Sequence, residues 1–450
     1  MQSFFRLAGR VAVAVTMSTV TLAAAMFAGF SFSDGQTHAS MPALLAKDLP
    51  VNLPSPGDRI VVAVALGATG TVGSDVLAPY DVFASSPDFS VYTVAASSAP
   101  ASIDGGPSIV PTFTFADVDS GRAPAPDVVV VPAVGDPYGT AEAGLREWIV
   151  SKSQQGAHIL GVCSGSMLLA KTGLLDGGSA TSHWSRIAAL KKTRPQVNWV
   201  TGRRYVQAGA ITTTAGVTSG IPGALSIMAQ LDGATEAQRV GALIGYPDWS
   251  LDDSRAIPVQ NFSLADLPVG VNAIAPWMRP TIGVGLTDGV SEIDVASAFE
   301  VYNMTFAARA VPVSANGTVT TKHGMVLVTN TEKQASSLNR VIVPGVTSVS
   351  SIDPQLAGWA KARNVPLDAL HGPTGATGFD GALQYLAAHT NRGTALSAAK
   401  LMDYPTAGLE LAAGGTALRA PLLLILSLLL SVAVGMLPTI IRRMRCRSSK

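Results

Sequence analysis

One of the two cysteines of this 450-residue chain stands where it could do chemistry. Cys163 lies in Gly161-Val162-Cys163-Ser164-Gly165, between the short apolar run 158–162 and a helical pattern carrying Met167, Leu168, Leu169 and Leu174. A strand, a tight turn and a helix with one nucleophile at the turn make a nucleophile elbow. Such a turn strains the backbone and leaves room only for small neighbours, a need that Gly161 and Gly165 meet. The helix that follows aims free N–H groups at the sulfur, which predicts a thiolate. The competing reading is a buried cysteine packed as a small hydrophobe.

The elements that must position this residue are legible upstream. Residues 59–66, 91–96 and 127–131 are apolar runs of strand length, and 75–84 and 141–155 have helical spacing, with Leu145, Trp148 and Ile149 on one face of the latter. Apolar strands alternating with helices predict an α/β fold with a parallel sheet covered on both faces. Ligands bind such sheets at the carboxyl ends of the strands, which is the edge where the elbow puts Cys163. Downstream come the segment 180–184, paired short strands over 205–213, a Gly/Thr loop over 214–220, and two helices ending at Tyr246-Pro247.

Two long apolar runs bracket this region. Residues 11–32 follow Arg6 and Arg10 and are long enough to span a bilayer; they also fit a signal peptide, with Thr37-His38-Ala39 as a small-residue cleavage site. Residues 420–441 are Leu-rich all round and run into a tail with Arg442, Arg443, Arg445, Arg447 and Lys450. The positive-inside rule makes that tail cytoplasmic and places the folded region on the extracytoplasmic side of the cell membrane. Without the eight basic residues around the two runs, 23 basic face 30 acidic residues, a net of −7, so no nucleic-acid footprint is expected. Cys163 and Cys446 are too differently placed to pair, no zinc spacing exists, none of the six histidines sits in a ligand cluster along the sequence, and no phosphate loop occurs. No cofactor and no metal are expected.

Three segments carry a family resemblance: Asp75-Val-Leu-Ala-Pro-Tyr-Asp-Val-Phe83, residues 161–184 (GVCSGSMLLAKTGLLDGGSATSHW) and residues 203–225. In order and spacing they resemble the ThiJ/PfpI family of the class I glutamine amidotransferase-like superfamily. The resemblance is closest to isonitrile hydratase and the amidase-like domain of AraC-type (GlxA-like) regulators. It implies a flavodoxin-like sandwich, Cys163 as the reactive thiol, Asp75 as the carboxylate that meets it, and His183 as a neighbour of the site. On their own chemistry, Asp75 is either a proton carrier or a helix N-cap. His183 is either a general acid–base or a structural ring beside Trp184. Ser164 and Gly135 are candidates to supply oxyanion donors, although many relatives carry Gly-Gly after the strand-end proline where this chain has Ala133-Val134-Gly135. The regulators continue into a DNA-binding domain for which this chain shows no counterpart.

The pattern then recurs. Residues 281–302 align with 60–83, so that Asp294 falls where Asp75 lies. Gly378, Gly381-Ala382-Leu383 and Tyr404-Pro405 follow Gly220, Gly223-Ala224-Leu225 and Tyr246-Pro247 at one constant offset. This second copy has no cysteine and no counterpart of the Thr-Ser-His-Trp segment; His371 falls roughly where its thiol would be. The chain thus divides into 1–39 (signal peptide or N-terminal anchor), 40–58 (linker), 59–250 (domain with the elbow), 251–278 (linker), 279–410 (degenerate second copy), 420–441 (transmembrane helix) and 442–450 (basic tail). An intramolecular pseudo-dimer is expected, with a homodimer as the alternative. Three functions fit: a cysteine-dependent hydratase or amidase-like hydrolase of a small molecule, a noncatalytic ligand- or redox-sensing module, and a noncatalytic interaction protein, suggested by the lost second site.

Overall fold

A computed structural model describes residues 2–37, 57–247, 249–251, 256–335, 337–370, 377–412 and scattered positions from 422 to 437. The first half builds a seven-stranded sheet. Its strands are β1 (Ile60–Ala65), β2 (Phe89–Ala95), β3 (Phe113–Thr114), β4 (Val128–Val131), β5 (His158–Gly161), β6 (Tyr205–Ala208) and β7 (Ile211–Thr214). They lie in the order β3-β2-β1-β4-β5-β7-β6, and only the β7–β6 pair is antiparallel. Val62 pairs with Val91 and Val128, and Val130 with Leu160, so the centre of the sheet is β-branched and buried on both faces. The chain is therefore α/β with a parallel-dominated sheet.

Residues of the second half form a five-stranded parallel sheet from β8 (Thr281–Gly285), β9 (Arg309–Ser314), β10 (Asn330–Thr331), β11 (Arg340–Pro344) and β12 (Leu367–Leu370). Its order, β10-β9-β8-β11-β12, runs parallel to β3-β2-β1-β4-β5 of the first sheet. Within the stretch read as the linker 251–278, Leu267–Ile274 is helical.

The halves meet through helices α2 (Gly73–Ala84) and α4 (Glu292–Thr305), with α3 denoting the helix Gly165–Thr172 behind the elbow and α1 the N-terminal helix Gln2–Thr37. Each helix of the joining pair sends an acid to the start of the other. Asp81 accepts from the Ser291 hydroxyl at 2.6 Å and the Ile293 N–H at 3.0 Å, while Glu300 accepts from the Ser74 hydroxyl at 2.6 Å. A carboxylate at a helix N-terminus is favourable, and here the exchange is reciprocal. Tyr246 and Tyr404, the tyrosines aligned in the sequence, stack edge to face with centroids 5.8 Å apart. One apolar core runs through both halves. A small antiparallel sheet also joins them, with Val326–Val328 between Ser108–Ile109 and Thr318–Thr320.

Helix α1 extends beyond the apolar run 11–32. Among the described residues it is the one helix whose central stretch, Val15–Ser33, is long and apolar enough to cross a membrane, a test that a signal sequence also passes. Of 420–441, the described positions are helical, and Leu422, Ile425, Leu426, Leu429 and Leu430 are exposed; the rest of that run lies outside the described residues.

Candidate active site around Cys163

Cys163 sits directly beyond β5 with φ +53°, one of few non-glycine residues in the left-handed region. That conformation is costly for an L-residue and is held by its surroundings. The Cys163 N–H donates to Thr214 Oγ1 at 3.2 Å, and the Cys163 carbonyl accepts from Ser166 Oγ at 3.1 Å and Ser182 Oγ at 3.4 Å. Gly165 opens α3 against the end of β4: a Cβ there would stand 2.2 Å from the Val131 carbonyl oxygen. A Cβ on Gly161 would meet Leu169 Cδ1 at 2.6 Å. Gly165 is thus required by close approach to backbone, as the elbow reading expects, whereas at Gly161 the obstacle is a movable leucine methyl.

Asp75 lies in the first turn of α2 and is fully buried. It does not cap its own helix. Its Oδ2 accepts the Ala133 N–H at 3.0 Å, and its Oδ1 is buried with no hydrogen-bond partner. Burial pushes the Asp75 carboxyl well above its ordinary range; the Ala133 N–H works against this, and the Glu300 and Asp104 carboxylates add to it. Cys163, 5% exposed, is likewise pushed well up, by burial first and the Asp75 carboxylate second. The Ser164 N–H and hydroxyl, the latter 4.0 Å from Sγ, pull the other way and lose. Against the thiolate expected from the helix terminus, desolvation and a neighbouring acid outweigh the helix and push the cysteine toward the thiol form.

The remaining sequence candidates divide. Ser164 faces the sulfur. Gly135 does not offer its N–H to the site, because that group donates to the Gly70 carbonyl at 3.1 Å. His183 caps the helix Trp184–Thr193; its Nδ1 pairs with Ser185 Oγ at 2.7 Å and its Nε2 with the Leu401 carbonyl at 2.7 Å. Burial lowers its pKa to about 4, so the ring is neutral and both nitrogens are engaged. The same second-half segment receives the Trp184 indole N–H at the Lys400 carbonyl and the Thr218 hydroxyl at the Met402 carbonyl. His371 lies outside the described residues.

The match to known proteins falls on this half. Residues 59–230 fit the DJ-1/PfpI family model. An isonitrile hydratase from Pseudomonas putida is 35% identical over 176 residues, covering 38% of this chain and 72% of that enzyme. The chain belongs to the DJ-1/PfpI family. Among its relatives are two transcriptional regulators, CdhR of Pseudomonas aeruginosa (33% identical, 31% of this chain, 42% of the regulator) and GlxA of Rhizobium meliloti (32%, 29% and 38%), so less than half of each regulator is matched. A ThiJ/PfpI family protein from Pseudomonas syringae of known structure shares 30% identity over 48% of this chain and 85% of its own, with a TM-score of 0.38.

Asp294, which aligns with Asp75 in the sequence, has a different setting. Gly345, at φ +74°, and Gly378 close on it, so that a Cβ would come within 2.8 Å of Oδ2 at the first and 2.4 Å of Oδ1 at the second. Burial, with Asp81 adding, raises its carboxyl to about 6.

Sequence spacing missed one cluster. Asp81, Glu292 and His323 converge where α2 meets α4, although no spacing along the chain links them.

Proposed function

We propose that Cys163 and Asp75 form the working pair of a cysteine-dependent enzyme that adds water to, or hydrolyses, a small molecule with an electrophilic carbon. The observation that carries this is the unpartnered, buried Asp75 Oδ1, on a carboxyl within electrostatic reach of a thiol held in an elbow. Both groups are pushed toward their protonated forms, in each case first by burial. Asp75 gives its proton to the substrate atom on which electrons collect as sulfur bonds to carbon, and its carboxylate takes the thiol proton. With an isonitrile, water then adds to the C=N carbon so formed, giving one proton to nitrogen, and the S–C bond breaks as the remaining hydroxyl proton returns to sulfur and the formamide leaves. With an amide, the amine leaves with a proton first, and water then cleaves the thioester to the acid and the free thiol. An isonitrile carbon suits this sequence because it must receive both a proton and a nucleophile. The Ser164 N–H, already facing the sulfur, is placed for charge that develops there. His183 is left out of the proton transfers, since a neutral ring engaged on both nitrogens holds the second half in place.

On this reading the second half is a degenerate copy that packs as an intramolecular partner: the strand orders agree, the acid exchange between α2 and α4 is reciprocal, and Asp294 faces glycine rather than a thiol. The apolar α1 and the run 420–441 support a membrane-tethered protein with its folded halves outside the cytoplasm. The redox-sensing reading is weaker, because ready oxidation asks for an exposed, low-pKa thiol.

The test is turnover by the full-length protein offered alkyl isonitriles, amides and aldehydes in turn. Product formation abolished by Cys163→Ala supports the proposal. No product from any class, with Cys163 intact and the chain folded, refutes it in favour of a binding role.

A further inference from the structure

Three side chains of types that bind metals meet at the join between the halves, outside the cysteine site. Asp81 is on α2, Glu292 opens α4, and His323 sits in the turn between the strands Thr318–Thr320 and Val326–Val328. One ligand atom from each lies within 4.8 Å of the others. His323 Nδ1 is 2.8 Å from Glu292 Oε2 and 3.5 Å from Asp81 Oδ1. Two ligands on one tetrahedral zinc stand about 3.3 Å apart, given bonds of roughly 2.0–2.1 Å, and the two separations from His323 bracket that spacing.

The oxygens that face away are held from behind. Asp81 Oδ2 accepts from Ser291 Oγ and the Ile293 N–H, and Glu292 Oε1 accepts from Thr321 Oγ1 at 2.5 Å and the His323 N–H at 3.1 Å. Outer bonds of this kind orient ligating carboxylates. On the inward side Asp81 Oδ1 accepts from Ser85 Oγ at 3.3 Å and faces His323 Nδ1 at 3.5 Å. Asp81 and Glu292 are 2% and 0% exposed at their side chains, and His323 14%, which leaves one route to solvent. The other charged neighbours, Lys322 and Asp294, are of opposite sign.

We propose that Asp81, Glu292 and His323 bind one divalent transition-metal ion of the zinc class, which fastens α2 to α4. One nitrogen and two oxygens without thiolate suit Zn²⁺, Fe²⁺ or Mn²⁺ rather than Cu⁺. Water completes the coordination through the open side.

The experiment is titration of the chelator-treated full-length protein with Co²⁺ and Zn²⁺. Expected are one tightly bound Co²⁺ per chain with visible absorption typical of low-symmetry N/O coordination, its displacement by Zn²⁺, and thermal unfolding that rises with Zn²⁺ concentration. His323→Gln and Glu292→Gln should each weaken binding by about tenfold or more, whereas Cys163→Ala should leave it unchanged. No stoichiometric binding by the unaltered protein overturns the proposal, leaving His323 as an ion-paired clamp between two carboxylates. Binding that survives in both variants overturns it as well.

Discussion

The Asp75 carboxyl accepts the Ala133 N–H at 3.0 Å, across the gap between the start of α2 and the end of β4. That single bond fixes Asp75 Oδ2 and leaves Oδ1 as the free end. It also engages the amide that follows Pro132, so the chain does not offer that N–H to an oxyanion. Replacing Asp75 with Ala removes the acceptor and the proton carrier together. Turnover is expected to fall by about 100-fold or more, with the far-UV circular dichroism unchanged. Activity within a few-fold of the unaltered protein would remove Asp75 from the mechanism.

Gly165→Ala tests the elbow as a steric device. Its Cβ would meet the Val131 carbonyl at 2.2 Å and Pro132 at 2.9 Å, and neither is a flexible side-chain end. A loss of about 2–4 kcal/mol in urea unfolding is expected. Gly144→Ala is the control: it lies in the helix Ala143–Gln154 with nothing within 4 Å of the new Cβ, and should be neutral or stabilising by up to about 1 kcal/mol. Equal effects at the two sites would contradict the close-packed elbow.

The exchange of acids between α2 and α4 makes the halves one cooperative unit. Ser74→Ala and Glu300→Gln should therefore couple, with an interaction term of about 0.5–3 kcal/mol in a double-mutant cycle. Additive effects would mean that the 2.6 Å bond between Ser74 and Glu300 contributes nothing to the join.

Asp403 gives a pH signature. Burial raises its carboxyl from 3.8 to about 7, against the Gly216 N–H and Arg204, which lower it. The folded state then holds a proton that the unfolded state releases. This contribution to stability is fully present below pH 4 and is lost as pH rises through about 7. Asp403→Asn keeps an acceptor for Gly216, and asparagine tolerates the φ of +54° at this position. The variant should unfold at a higher temperature than the unaltered protein at pH 8, by an amount on the order of a few kcal/mol, and show little difference at pH 4. The same difference at both pH values would exclude Asp403 as the titrating group.

Much of the architecture was legible because it rests on local patterns. The apolar runs that became β1, β2, β4 and β5 need only their own composition to read as buried parallel strands. The elbow needs only Gly161 and Gly165 at the right spacing. What escaped the sequence depends on neighbours far along the chain. The helix behind Cys163 argues for a thiolate, yet the Asp75 carboxylate and the depth of the site reverse the sign. Gly135 looked like a free donor until Gly70, in another loop, took its N–H. His183 reads in the sequence as either a proton carrier or a structural ring, and the Leu401 carbonyl that decides for the second comes from the other half. Asp81, Glu292 and His323 share no spacing at all and are gathered only when α2 docks on α4.

The most direct measurement is the pH dependence of Cys163 alkylation in the full-length protein, beside Asp75→Asn. The expected midpoint lies above the free-thiol value of about 8.5 and moves to lower pH when the Asp75 charge is removed. A midpoint well below that value, or one that Asp75→Asn leaves in place, would contradict the pairing of Asp75 with Cys163.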